Sequence, residues 1–197
     1  MLHRRQIKAQ AKQKIRGKVM TVFFALLVAG FISGLGAAGF GIGALITAPA
    51  MAVGMAVYLL AIWRRDEYEF THIFRGFDNL GRNIGGYLLV QIYTFLWSLL
   101  LIIPGIIMGL AYSMTNYVMA DTDCTAGQAI RTSQAITKGY RAEIFVMGLS
   151  FIGWMFLGAI TFGLAYIYVL PFFSMSFAGL YEELKKNAIA NGTWQLS

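Results

Sequence analysis

Charge is confined to four short intervals of the chain, and long uncharged stretches separate them. The 16 basic and nine acidic residues all lie within 1–18, 64–82, 121–143 and 182–186. Uncharged stretches of 45, 38 and 38 residues lie between them, at 19–63, 83–120 and 144–181. About 20 apolar residues already cross a bilayer core of about 30 Å as one helix. The pattern therefore predicts a polytopic membrane protein in which each stretch holds two spans.

Each uncharged stretch also has helix breakers near its middle. They are five glycines within 34–43, the pair Pro104 and Gly105, and the segment 161–163. Proline cannot donate a backbone hydrogen bond and glycine tolerates a left-handed turn, so these positions predict hairpin turns. The predicted fold class is all-α, with six transmembrane helices arranged as three hairpins and amphipathic cytoplasmic helices between them. The spans are expected near 19–34, 43–63, 84–103, 106–120, 144–160 and 163–181.

Six spans place every charged interval, and with it both termini, on one side of the membrane. The positive-inside rule makes that side cytoplasmic, and we expect a bacterial plasma membrane location. One helix per stretch is the less favoured alternative, because it would put Arg131, Lys138 and Arg141 across the membrane from Arg64. The expected domains are a basic segment, an uncleaved six-helix membrane domain and a cytoplasmic tail, at 1–18, 19–186 and 187–197.

The first interval accounts for the whole net charge of +7, because the other three intervals each balance to zero. Its basic residues are Arg4, Arg5, Lys8, Lys12, Lys14, Arg16 and Lys18. Ile7, Ala11 and Ile15 form an apolar stripe at a spacing of four, which predicts an interfacial helix that contacts anionic lipid headgroups. A simple topology signal is the plainer interpretation. The segment has no aromatic residue among its basic ones, so we do not expect a nucleic-acid partner.

Two further amphipathic helices are predicted on the cytoplasmic side. The apolar residues Phe70, Ile73, Phe74 and Phe77 follow the spacing of one helix face. A second helix within 125–140 opens with a capping box and is expected to pack on the ends of the spans.

Chemically reactive groups are missing from the predicted spans, which contain no Asp, Glu, Lys, Arg or His. Such residues mark proton relays and ion coupling, and no nucleotide-binding or hydrolase motif occurs elsewhere. We therefore expect no enzyme activity, no cofactor and no metal site. Neutral polar side chains in the third and fourth spans form a candidate polar face: Gln91, Thr94, Ser98, Ser113, Thr115 and Asn116. Hydrogen bonds between helices are the simplest role for them, and the wall of a polar path or a headgroup groove is the functional alternative.

Several stretches between residues 46 and 185 resemble one bacterial membrane family. They are "IFRGF" (73–77), "LWSLLLIIPGIIMGLAYSMTNYVMAD" (96–121), "GQAIRTSQAITKGYRAEIFVMGLSFIGWMFLGAITFGL" (127–164), "YVLPFF" (168–173) and "LYEEL" (180–184). In this order they are similar to the multi-pass family called domain of unknown function 975. The resemblance implies a six-span helical protein and names no substrate.

The function expected from these features is that of a non-catalytic accessory or membrane-organising protein. Its expected partners are anionic membrane lipids, a membrane protein or further copies of the same chain. The alternative is a passive channel or transport subunit for small solutes, ions or amphiphiles.

Overall fold

The computed structural model describes residues 4–38, 42–65, 69–100 and 102–194. Within these ranges the chain is helical and contains no strand, which confirms the all-α fold class. The elements are α1 (Arg4–Ile15), α2 (Val19–Ala38), α3 (Ile42–Arg65), a 3₁₀ helix (Phe70–Phe77), α4 (Leu80–Leu100), α5 (Ile102–Tyr112), α6 (Thr115–Asp121), α7 (Ala126–Thr137), α8 (Arg141–Leu149), α9 (Ile152–Ile160) and α10 (Tyr166–Ala190).

Three helical segments among the described residues are long and apolar enough to cross a membrane: Val19–Gly36, Gly43–Arg65 and Arg141–Ile160. They differ in burial, since 61% of the second is buried but only 17% of the first and 22% of the third. The second segment lies in α3, which packs against α2, the 3₁₀ helix, α6, α4 and α10. The core is therefore built around α3.

The 3₁₀ helix crosses α3 at backbone contact distance. A Cβ added to Gly54 would lie 1.8 Å from the carbonyl oxygen of Ile73. A Cβ added to Gly76 would lie 1.8 Å from the carbonyl oxygen of Ala50. Only glycine fits at both positions, because any side chain would overlap the facing backbone.

The apolar face predicted for this segment is wrong in its details. A 3₁₀ helix has three residues per turn, so different positions face inward than in an α-helix. His72, Ile73 and Gly76 are buried, whereas Phe70 and Phe74 are 37% and 42% exposed. Residues three positions apart share a face in an α-helix and in a 3₁₀ helix, so the sequence fits both. Contact with α3 selects the 3₁₀ helix.

The fourth and fifth predicted spans are each divided in two. A turn at residues 113–114 separates α5 from α6, and a turn at 150–151 separates α8 from α9. The Ser113 hydroxyl donates to the Leu110 carbonyl at 2.8 Å, and the Ser150 hydroxyl donates to the Met147 carbonyl at 2.5 Å. At each break the serine hydroxyl thus bonds a carbonyl three residues earlier, which satisfies a backbone acceptor next to the interruption.

The turn expected at Pro104 and Gly105 does not occur at these residues. Both residues lie inside α5, where they are its third and fourth residues. A proline in the first helical turn sacrifices no internal hydrogen bond, so it starts the helix instead of ending one. Gly105 faces Ser98 of α4, and the Tyr93 ring of α4 lies 6.1 Å from the Tyr112 ring of α5. The two helices therefore run in opposite directions.

The third break occurs where the sequence predicts it. Phe162 and Gly163 have φ angles of 50° and 91°, between the end of α9 and the start of α10. The Gly163 N–H bonds the Gly158 carbonyl and the Phe162 N–H bonds the Ala159 carbonyl, a glycine-type helix ending. The predicted capping box is also present, because the Thr125 N–H donates to the Gln128 side chain at 2.8 Å.

Candidate functional site

The ends of α3, α6 and α10 meet in a group of ion pairs that we call the ion-pair cluster: Arg64, Asp121, Tyr181, Glu182 and Lys185. Arg64 Nη1 and Lys185 Nζ each donate to the Asp121 carboxylate at 2.5 Å. The Tyr181 hydroxyl donates to the same carboxylate at 2.8 Å, and Arg64 Nε donates to Glu182 at 2.6 Å. Three of the four charged intervals of the sequence thus meet at one place.

Asp121 is the centre of this cluster, and its side chain is only 6% exposed. Burial by itself would raise its pKa. Hydrogen bonds from Arg64, Lys185 and Tyr181 outweigh that effect and lower the pKa to about 2. The carboxylate therefore stays ionised at neutral pH and holds the three helix ends together.

Aromatic rings extend the cluster toward the end of the chain. The Tyr117 ring of α6 stacks on Tyr181 with 5.6 Å between ring centroids. Lys185 Nζ lies 4.9 Å from the centroid of the Trp194 ring. These contacts bring the residues after α10 back onto the cluster, and α10 itself continues to Ala190, well past the predicted end of the sixth span.

The basic helix α1 is docked on the protein along the stripe predicted to be apolar. Ile7, Ala11 and Ile15 are 4%, 0% and 1% exposed, and α1 packs mainly on α10. Lys8 donates to the Ser150 hydroxyl and lies 4.2 Å from the Phe151 ring centroid. Burial, with a contribution from Arg4, lowers the pKa of Lys8. Protein residues therefore cover the face that was expected to lie on lipid.

A cavity of about 540 Å³ lies between the end of α1 and the end of α3. Its lining is polar and basic apart from one tryptophan: Gln10, Gln13, Lys14, Arg16, Lys18 and Trp63. The Trp63 ring is held tightly, because a Cβ on Gly179 of α10 would lie 2.2 Å from it. The cavity combines cationic groups with a fixed aromatic wall.

The seven basic residues predicted to contact anionic lipid are thus divided among three environments. Three of them line the cavity, namely Lys14, Arg16 and Lys18. Arg5 and Lys12 are exposed elsewhere on α1, whereas Arg4 and Lys8 are half-buried.

The polar side chains predicted on α4 bond within their own helix. Gln91 Nε2 donates to the Tyr87 hydroxyl at 3.0 Å, and the Ser98 hydroxyl donates to the Thr94 carbonyl at 2.8 Å. Gln91 and Ser98 are exposed and Thr94 is half-buried. Within the described part of the chain, both of these bonds stay inside α4 and do not join it to another helix.

The polar residues around the break between α5 and α6 have a different setting. Thr115 is 2% exposed and its buried hydroxyl has no partner among the described residues, while Ser113 and Asn116 are half-buried. The Ala111 carbonyl next to the break accepts the Ser133 hydroxyl at 2.7 Å and the Thr137 hydroxyl at 3.4 Å. This contact of Ser133 and Thr137 with α5 was not predicted. Their spacing of four residues, which places them on one face of a helix, was the available signal.

Groups that could hold a metal ion are not found in the described ranges, where no three His, Cys, Asp or Glu side chains converge. Cys124 is buried and accepts a hydrogen bond from the Thr122 hydroxyl at 3.1 Å. His72 is buried next to Glu69, with 3.7 Å between Nε2 and the carboxylate.

A family model described as "Protein of unknown function (DUF975)" matches residues 99–188. The chain is similar to the DUF975 family over these residues, which make up just under half of its length. The match confirms the family resemblance and covers α5 to α10 almost entirely, so it includes the Asp121, Tyr181, Glu182 and Lys185 members of the ion-pair cluster. Arg64 and the "IFRGF" stretch lie outside the DUF975 match. No curated protein and no solved structure matches the chain.

Proposed function

We propose that this chain is a six-span, non-catalytic membrane protein that binds anionic lipid at its charged end. By charged end we mean the ion-pair cluster together with α1. The observation that carries the proposal is the cavity between α1 and Trp63, which gathers three basic side chains beside a fixed indole ring. Tryptophan and basic residues are the side chains that meet lipid headgroups at a membrane surface.

Exposed apolar side chains support the membrane location. Phe31, Leu99, Ile103 and Ile160 are 68% to 74% exposed, and they lie on four different helices. Large exposed apolar surfaces are rare on soluble monomers, whereas a bilayer would cover them without cost. The same side chains in water would promote aggregation.

The ion-pair cluster supports the topology of six spans. It joins Arg64, Asp121 and Lys185, which come from three different charged intervals. If each uncharged stretch crossed the membrane once, intervals at 64–82 and 121–143 would lie on opposite sides and could not form these pairs. Two crossings per stretch, with the termini on the cytoplasmic side of a bacterial plasma membrane, fit the contacts.

Lipid binding at α1 can be tested by native mass spectrometry of the protein released from nanodiscs containing equal phosphatidylglycerol and phosphatidylethanolamine. The test variant carries Lys14→Gln, Arg16→Gln and Lys18→Gln, and the matched control carries Arg65→Gln, Arg75→Gln and Lys138→Gln at exposed positions outside α1. Each basic residue near a surface contributes about 1 kcal/mol to anionic lipid binding. The test variant should therefore lose most of the preference for phosphatidylglycerol, and the control should keep it.

Equal loss in both variants would contradict the cavity as the binding site, and so would a wild-type protein without preference for phosphatidylglycerol. The channel alternative gains no support from α4, because Gln91 and Ser98 bond within that helix instead of lining a shared path.

A further inference from the structure

A second cavity, of about 490 Å³, lies between α4, α5 and α7, away from the α1 cavity. We call it the lateral groove. Leu89, Tyr93 and Trp97 of α4 form one wall at a spacing of four residues, and Met108 and Tyr112 of α5 form the facing wall. At 1.5 Å per residue, the α4 wall is about 12 Å long.

Residues of α7 close one end of the lateral groove, and they are polar. Arg131 and Gln134 line that end, together with Gly127 and the buried Ile130. Arg131 is exposed and forms no ion pair or hydrogen bond within the described ranges. The lateral groove thus has an aromatic and aliphatic body and a cationic end.

The walls of the lateral groove are fixed by contacts between the three helices. The Ser133 hydroxyl attaches α7 to the Ala111 carbonyl at the end of α5, at 2.7 Å. A Cβ added to Gly86 of α4 would lie 2.7 Å from the sulfur of Met119. The missing side chain at Gly86 therefore lets α4 approach α6 and α7 closely. The lateral groove is therefore a feature of the packed fold.

We propose that the lateral groove holds one anionic phospholipid, with an acyl chain along Tyr93 and Trp97 and its phosphate at Arg131 and Gln134. The inference rests on the proposed membrane location but not on the α1 cavity. Charge complementarity identifies the occupant, because Arg131 is a cation with no ion pair or hydrogen bond among the described residues, and it lies at the end of an apolar path. The large rings of Tyr93, Trp97 and Tyr112 supply apolar surface for the acyl chain.

Gly127 gives a direct way to fill the lateral groove. An added Cβ at Gly127 meets no atom within 4 Å, and the same holds for Gly81 at the corresponding second position of α4. Gly127→Phe should occupy the space at the cationic end, and Gly81→Phe is the control for adding a phenylalanine to an exposed helix start. Arg131→Gln removes the charge alone, with Lys138→Gln as its exposed control.

The measurement is native mass spectrometry of the full chain from nanodiscs of equal phosphatidylglycerol and phosphatidylethanolamine. The wild-type protein should retain one phosphatidylglycerol that Gly127→Phe loses and Gly81→Phe keeps. Arg131→Gln should lower the preference for phosphatidylglycerol about tenfold, as expected for the loss of one charge-assisted hydrogen bond. Lys138→Gln should leave it unchanged.

The inference is overturned if Gly127→Phe retains the same lipids as the wild type, or if Arg131→Gln and Lys138→Gln behave alike. Should Gly127→Phe fail to fold, the arginine pair alone decides the question. Failure of the α1 variant described above would leave these results unaffected. A protein recovered outside membranes would overturn the proposed membrane location itself.

Discussion

The two ends of the helical bundle are held together in different ways. At the charged end, the ion-pair cluster joins α3, α6 and α10, and the 3₁₀ helix crosses α3 with backbone contact. At the far ends of α2, α4 and α9, side chains such as Phe31, Leu99 and Ile160 are mostly exposed. The protein provides its own contacts at the charged end, and the exposed side chains at the other end are what we expect if lipid covers them, as proposed.

The largest effect is expected where α3 meets the 3₁₀ helix. Gly54→Ala places a methyl group 1.8 Å from the Ile73 carbonyl oxygen, so the crossing must open. We expect a loss above about 4 kcal/mol, and little folded protein in a thermal melt in detergent. Gly30→Ala in α2 is the control, because its added Cβ meets no atom within 4 Å. Equal melting of the two variants would contradict the close crossing.

A smaller but still large effect is expected in the ion-pair cluster. Asp121→Asn keeps the size of the side chain but leaves Arg64 and Lys185 without their shared counter-ion. Removing one partner of a buried ion pair costs about 3 kcal/mol, which should appear as a lower midpoint in thermal or denaturant unfolding. Asp123→Asn, at a fully exposed carboxylate, should unfold like the wild type. A cluster that contributes little to stability would give the same curve for both variants.

Acid should weaken the charged end over a defined pH range. The pKa of Asp121 is lowered from 3.8 to about 2, so its contribution is complete above pH 4 and is lost as the pH falls toward 2. The contribution is about 2 kcal/mol, from 1.36 kcal/mol per pKa unit. Unfolding followed between pH 5 and 2 should show this loss in the wild type and a flatter profile in Asp121→Asn. Parallel profiles would mean that Asp121 is not the titrating group.

Much of the fold follows from the sequence, because helix breakers and capping residues act locally. The turn at Phe162 and Gly163 and the capping box at Thr125 lie where they were predicted. The breaks at Ser113 and Ser150 were missed, since a serine in an apolar helix is tolerated as often as it interrupts. The 3₁₀ helix was missed because the spacing of its apolar residues fits an α-helix as well as a 3₁₀ helix.

The candidate site was less predictable than the fold. The sequence showed where charges lie, but pairing Arg64 with Asp121 requires knowing that residues 57 positions apart meet. The docking of α1 on α10 could not be predicted either. The apolar stripe of Ile7, Ala11 and Ile15 would suit a lipid surface or a protein surface equally well.

The central claim is that every described charged segment lies at one face of the membrane. It is tested most directly by labelling single cysteines with a membrane-impermeant maleimide, in a chain whose buried Cys124 is replaced by serine. Lys138 and Lys186 are exposed residues of two different charged intervals, and Phe162 is a fully exposed residue in the turn between α9 and α10. We predict that Phe162→Cys is labelled in intact cells and the two lysine positions only in inside-out vesicles. Labelling of Lys138→Cys and Lys186→Cys from opposite sides, or of all three from one side, would contradict the account.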